Sequence, residues 1–133
     1  MERDRYVLRV RSQDTPEVAE ARVREALAAE GFGVLSEIDV RSTLREKLDV
    51  EVAPYRILGA CKPSYAHEAL QKDPAIGGLL PCNVVVREHP DGGSELLGVD
   101  PAALLGLAGN AELEGLGGQV AEELSRALQA AVS

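Results

Sequence analysis

Two apolar runs decide how this chain folds: Tyr55-Arg56-Ile57-Leu58-Gly59-Ala60-Cys61-Lys62-Pro63 and Leu79-Leu80-Pro81-Cys82-Asn83-Val84-Val85-Val86. Each is short, rich in aliphatic residues and bounded by proline, as expected of buried strands. The apolar continuity of 55–60 predicts a strand buried at least in part on both sides. Pro81 cannot donate to a sheet ladder, so it is expected at the start of its strand or at a bulge. Both cysteines of the protein, Cys61 and Cys82, fall at run boundaries. If the runs pair antiparallel, the two thiols are expected as neighbours at one border of the sheet.

The flanking segments supply the other elements. Residues 5–11 alternate charged Arg5, Arg9 and Arg11 with Tyr6, Leu8 and Val10, the pattern of a half-buried strand with a solvated face. Thr15-Pro16-Glu17 opens a helix. The Thr15 hydroxyl caps it, Pro16 fits its first position, and Glu17 suits the positive end of the dipole. Ala19, Val23, Ala26 and Leu27 form its apolar stripe, and Gly31 is expected to end it in the left-handed region. A strand is expected over 32–40, with Val34, Ile38 and Val40 on one face. A short helix is expected over 42–49, opened by a Thr43–Glu46 capping box. Lys62-Pro63-Ser64 begins another helix reaching about Gln71, and Asp73-Pro74 and Gly77-Gly78 close that excursion. His89-Pro90-Asp91-Gly92-Gly93 reads as the turn of a hairpin whose second strand is 95–99.

A helical turn follows Asp100-Pro101. From Asn110 a long final helix carries Leu113, Leu116, Val120, Leu124, Leu128 and Ala131 at steps of three or four. Gly115, Gly117 and Gly118 leave two alternatives: the helix starts after them, or they permit close contact with the sheet. The resulting order predicts an α+β domain spanning residues 1–133. Its curved, mainly antiparallel sheet is covered on one face by two long helices, with short helices inserted, and the other face is open to solvent or self-association.

Composition narrows the function. With only Phe32 and three tyrosines as aromatics, the core must be aliphatic. The net charge is −8, and residues 73–133 hold nine acidic groups against Arg87 and Arg126. That half offers no basic face for phosphates, so nucleic acid is not an expected partner. No apolar run is long enough to cross a bilayer and the N-terminus lacks the apolar segment of a leader, so the expected location is cytoplasmic, with reduced thiols.

No complete catalytic set is legible. The histidines, His67 and His89, lack a nucleophile motif. His89 lies about 23 Å beyond Cys82 along an extended strand, so no zinc site is complete and neither metal nor cofactor is expected. Glu37, Asp39 and Glu46 read as surface carboxylates. Gly115-x-Gly117-Gly118 lacks the strand and the Gly-Lys-Ser/Thr ending of a phosphate loop. The candidate functional pair is Cys61 and Cys82, read either as small buried side chains or as a thiol redox or metal pair. Tyr55, Pro63, Tyr65 and Asn83 are the candidate pocket residues around them.

Gly59-Ala60-Cys61-Lys62-Pro63, Ala69-Leu70, Asp73-Pro74, Leu79-Leu80-Pro81-Cys82-Asn83-Val84-Val85-Val86 and Thr43-Leu44-Arg45-Glu46-Lys47-Leu48 together resemble the bacterial and archaeal family catalogued as domain of unknown function 302. The likeness covers nearly the whole chain. Lys62 departs from it where Asn is common, which leaves capping of the next helix to Ser64. The resemblance implies a fold like half of a TATA-box-binding protein (strand, helix, four strands, helix) and homodimers, with no established activity. The expected function is therefore a non-enzymatic cytosolic homodimer that binds a small ligand between sheet and final helix. The alternatives are a thiol-based redox or metal-binding protein, and an adaptor docking a basic partner on its acidic last helix.

Overall fold

The computed structural model describes all of residues 1–133. Six strands form one antiparallel sheet: β1 (Glu2–Asp4), β2 (Val7–Ser12), β3 (Gly33–Asp39), β4 (Tyr55–Cys61), β5 (Cys82–Glu88) and β6 (Ser94–Val99). Their spatial order is β1-β2-β6-β5-β4-β3. The decisive runs pair as expected, with Leu58 opposite Val84 and Ala60 opposite Cys82.

One face of the sheet is covered by α1 (Pro16–Ala29) and α5 (Ala111–Ala131). Leu8, Val10, Leu58, Ala60, Val84, Val86 and Leu96 point into that layer. They meet Ala19, Val23 and Leu27 of α1 and Leu113, Leu116, Val120, Leu124 and Leu128 of α5 in one core. Thr15 caps α1 by accepting from Val18, and Gly31 follows the helix at φ 89°. Four shorter elements complete the chain: α2 (Val40–Leu48), α3 (Pro63–Lys72), a 3-10 turn (Pro74–Leu79) and α4 (Pro101–Gly106).

Three local expectations are corrected. The first strand does not run from Arg5. Arg5 adopts φ 56° in a tight turn, and Glu2–Asp4 folds back to pair with Val7–Arg9. In β3 a bulge lies between Val34 and Ser36, which reverses the alternation beyond it. Val34 keeps to the core, whereas Ile38, opposite Ile57, faces the open side and is half exposed. Finally, α2 starts at Val40, two residues early. Asp39 caps it by accepting from Ser42 N, so the Thr43–Glu46 box is not used.

The final helix runs unbroken through its three glycines. Only Gly117 is a contact point. A Cβ there would lie 2.9 Å from the Pro101 carbonyl oxygen and 3.2 Å from Ala102 Cα, so the close approach is to α4 and not to the sheet. The sheet's own close approach is at Gly98, where a Cβ would meet Leu128 at 3.0 Å and Leu124 at 3.2 Å.

The opposite face of the sheet carries no helix of the α1–α5 layer. A cross-strand row, Ile38–Ile57–Val85–Leu97, runs along it with Val7 and Val99 beside it. Next to this row Glu95 is buried between two guanidiniums, Arg9 Nη1 at 3.0 Å and Arg87 Nη1 at 2.8 Å. Burial pushes the Glu95 carboxyl up, but donation from Arg9 and Arg87 and their charges outweigh it, and the net shift is downward.

Candidate functional site

The chain between β4 and β5, residues 62–81, leaves the sheet as α3 and the 3-10 turn and closes over its end. Lys62-Pro63 starts α3 because Pro63 fits the first helical turn, although no side chain caps it; Ser64 does not take that role. The Asp73 carboxylate accepts from Ala75 N and turns the chain into the 3-10 segment. Ile76 anchors this excursion in the core at 1% exposure, and Ala69 does so at 2%. The Leu80–Pro81 peptide is cis, and Pro81 stands just ahead of β5.

Beneath this strap lies a partly enclosed cavity of about 40 Å³. Its floor is Phe32, Ala60 and Cys82, its back wall is Pro101 and Leu105 of α4 with Leu116 and Val120 of α5, and the strap supplies Tyr65, Ala66, Ala69, Leu80 and Pro81. Cys61 and Cys82 both border it. The sequence expectation that the two thiols share one border of the sheet is met: Cys82 opposes Ala60 in the ladder, and Cys61 is the next residue along. Both are free. Burial pushes the Cys82 thiol up to about 11, with a smaller contribution from the charge of Cys61, and burial raises Cys61 as well. These thiols are held protonated at neutral pH.

One polar cluster touches the apolar wall. Lys62 Nζ lies 2.9 Å from Glu123 Oε2 and 4.8 Å from the centre of the Tyr65 ring. The Tyr65 hydroxyl donates to Glu123 Oε1 at 3.0 Å and accepts from Gln119 Nε2 at 2.8 Å. Desolvation, and after it donation to Glu123, raise the Tyr65 phenol. The strap is thereby tied to one side of α5.

The four candidate pocket residues are not gathered around the thiols. Tyr65 lines the cavity, and Pro63 begins α3 beside it without lining it. Tyr55 stands at the far end of β4, opposite Arg87, six residues of strand away from Cys61. Asn83 is exposed in a shallow cleft with Gly78, Leu79 and Val99. Strand alternation explains Asn83, since it opposes Gly59 on the open face while Cys82 turns into the core. His67 is exposed on α3, and His89 lies in the β5–β6 turn against Arg11, so neither approaches the thiols. The sequence reading missed Lys62 as a wall residue and missed Gln119 and Glu123 altogether. The available signal was their i, i+4 spacing on α5 beside the buried Leu116–Val120 stripe.

Fold and cavity together define a class: an open antiparallel sheet backed by two long helices, with a strap between its central strands. The chain belongs to the family described as Domain of unknown function DUF302, whose profile matches residues 8–131. It is similar to a solved structure described as "uncharacterized conserved protein DUF302 from Bacillus stearothermophilus". That likeness has a TM-score of 0.89 at 27% identity, covering 96% of this chain and 98% of the other. No curated protein matches. No helix of the chain is long and apolar enough to cross a membrane.

Proposed function

We propose that this chain is a non-enzymatic, cytoplasmic homodimeric module that holds a small ligand in the cavity beneath residues 62–81. The observation that carries the ligand reading is the cavity itself: a mostly apolar wall with one convergent polar cluster, the general form of a small-molecule site. Its size restricts the occupant. Drug-sized ligands need roughly 300–1,000 Å³, whereas about 40 Å³ accepts only a few atoms unless the strap lifts. The cluster favours holding over turnover, because Lys62, Tyr65, Gln119 and Glu123 satisfy one another and both thiols are protonated.

The homodimer reading rests on the open sheet face. It presents a continuous apolar row, and its formal charges cancel: Glu2, Asp4 and Glu95 against Arg9, Arg11 and Arg87. A chain of net charge −8 repels its copies over most of its surface, and this neutral face is where two copies approach without that cost.

Native mass spectrometry of gently purified protein tests both parts. The expected species is a dimer carrying an extra mass that Ala66→Leu, which fills the cavity from the strap side, removes. A strictly unliganded protein contradicts the ligand reading, and a monomer at micromolar concentration contradicts the dimer.

A further inference from the structure

We infer that the cavity beneath the strap is a dry pocket that selects an uncharged hydrocarbon guest of about two heavy atoms, either a free small molecule or the end of an aliphatic chain. This deepens the ligand reading above by naming the chemical class of the guest, and it rests on the cavity which that reading takes as the site.

The polar groups decide first. Eleven of the fourteen lining residues are hydrophobic, and the only heteroatoms on lining side chains are the Lys62 amine, the Tyr65 phenol and the two sulfurs. Lys62 is held by Glu123, and the Tyr65 hydroxyl donates to Glu123 and accepts from Gln119. Neither Glu123 nor Gln119 lines the space, so the partners of both groups lie outside it. The sulfurs do not converge either. Cys82 opposes Ala60 and Cys61 is the next residue along β4, so strand alternation sends the two side chains to opposite faces of the sheet. Both thiols are protonated, and a thiol is a weak donor and a weak acceptor. A buried water makes about three hydrogen bonds to otherwise unsatisfied polar groups. This wall offers no such set: the buried side-chain atom left without a partner, Arg41 Nε, belongs to α2.

The two ends of the space then set what enters. Phe32, Ala69, Leu105, Leu116 and Val120 are buried and close its inner end with carbon alone. Lys62, Tyr65 and Ala66 of the strap are half-buried and form its outer end. The Lys62–Glu123 pair leaves that rim electrically neutral, so neither a carboxylate nor an ammonium finds an unmatched partner there. The inner end would strip water from a charged group without a compensating bond. Atoms facing an unfilled space lack contacts on that side, and an apolar guest restores them. Size completes the selection. An apolar cavity of about 150 Å³ stays dry and takes benzene. This one, of about 40 Å³, is roughly a quarter as large, which scales to about two heavy atoms.

The test uses the full-length protein with xenon, an uncharged sphere, as the probe. With methyl groups labelled with carbon-13, xenon pressure should give saturable shifts at the methyls of Ala66, Ala69, Leu105, Leu116 and Val120. Leu8 and Val10, core residues that do not line the space, should stay unshifted. Ethane should displace the xenon, whereas acetate and methylammonium should not. Ala66→Leu should abolish the shifts, and Leu116→Ala should add binding of benzene. If those variants do not fold, the wild-type titrations decide alone. Displacement by hexanol as well as ethane assigns the end of an aliphatic chain, and displacement by ethane alone assigns a free small molecule; both support the pocket. Absence of saturable shifts, displacement by acetate or methylammonium, or cross-relaxation from water to the Leu116 and Val120 methyls would overturn it. A charged adduct in native mass spectrometry that Ala66→Leu removes, found without xenon binding, overturns the apolar selection alone and leaves the ligand reading standing. Xenon binding to a protein that carries no added mass upholds the selection and overturns the resident ligand.

Discussion

Replacing Gly115, Gly117 and Gly118 one at a time by alanine applies the same chemical change at three points on one helix, with opposite consequences. Alanine is favoured over glycine inside a helix by up to about 1 kcal/mol, from helix propensity and reduced unfolded-state entropy. At Gly115 and Gly118 a Cβ meets nothing within 4 Å, so that gain should appear whole. At Gly117 the new atom lies 2.9 Å from a backbone oxygen and 3.2 Å from a backbone carbon of the Pro101–Ala102 turn, and backbone does not swing aside as a side-chain tip does. Overpacking of this kind costs about 1–3 kcal/mol. The net change at Gly117 is then a destabilisation of about 1 kcal/mol, roughly 2 kcal/mol apart from its neighbours. Urea unfolding at fixed protomer concentration reads this directly. At a slope of about 2 kcal/mol/M, the Gly117 variant should unfold about 1 M below the Gly115 variant. Equal midpoints for all three variants would refute the contact between α4 and α5, and with it the back wall of the cavity.

Other consequences are as specific. Asp39→Ala should cost about 1 kcal/mol by uncapping α2 while Thr43→Ala costs little, read by the same urea titration. If two copies pair through the open face as proposed, Val85→Lys in the middle of its apolar row should sediment as a folded monomer, with an unchanged circular dichroism spectrum, where the wild type sediments as a dimer. The Glu95 carboxyl is depressed in the folded state, so its stabilisation is full above the ordinary carboxyl range near pH 4 and is lost as pH falls through the lower folded value. Glu95→Gln should therefore flatten the acid limb of the stability profile. Cys82 runs the other way. Its folded value is raised to about 11, so its contribution is complete below the unfolded thiol range near 8.5 and fades as pH rises towards the folded value. The wild type should lose more stability than Cys82→Ala between pH 8 and 10.

Much of the architecture could be read locally. Thr15-Pro16 and Gly31 bracket α1 because caps and breakers act within a turn of themselves. The α5 stripe is legible because helical periodicity repeats over 21 residues. The two decisive runs pair as read because both are apolar and both are closed by proline-bearing ends. The failures share a different cause. Nothing local announces the bulge at Val34–Ser36, which reverses the face of Ile38 and hands the capping of α2 to Asp39. The β1–β2 turn uses Arg5 at positive φ, with neither glycine nor asparagine to mark it. At the cavity, the placing of both cysteines at one border of the sheet follows from strand pairing and is legible in the sequence. The Lys62–Glu123 contact joins residues 61 positions apart and depends on how the strap docks on α5. Nearness in sequence suggests Tyr55 beside the thiols, yet a seven-residue strand carries it to the far end of the sheet.

The claim on which the functional account depends is that both cysteines border one partly enclosed, mostly apolar cavity, with Cys82 buried and Cys61 partly exposed. Counting thiols with Ellman's reagent at pH 8, with and without denaturant and with Cys61→Ser and Cys82→Ser to assign them, tests it most directly. The account predicts that native Cys82 is unreactive, that Cys61 reacts slowly, and that both react at once after unfolding. Rapid reaction of Cys82 in the folded protein would contradict it.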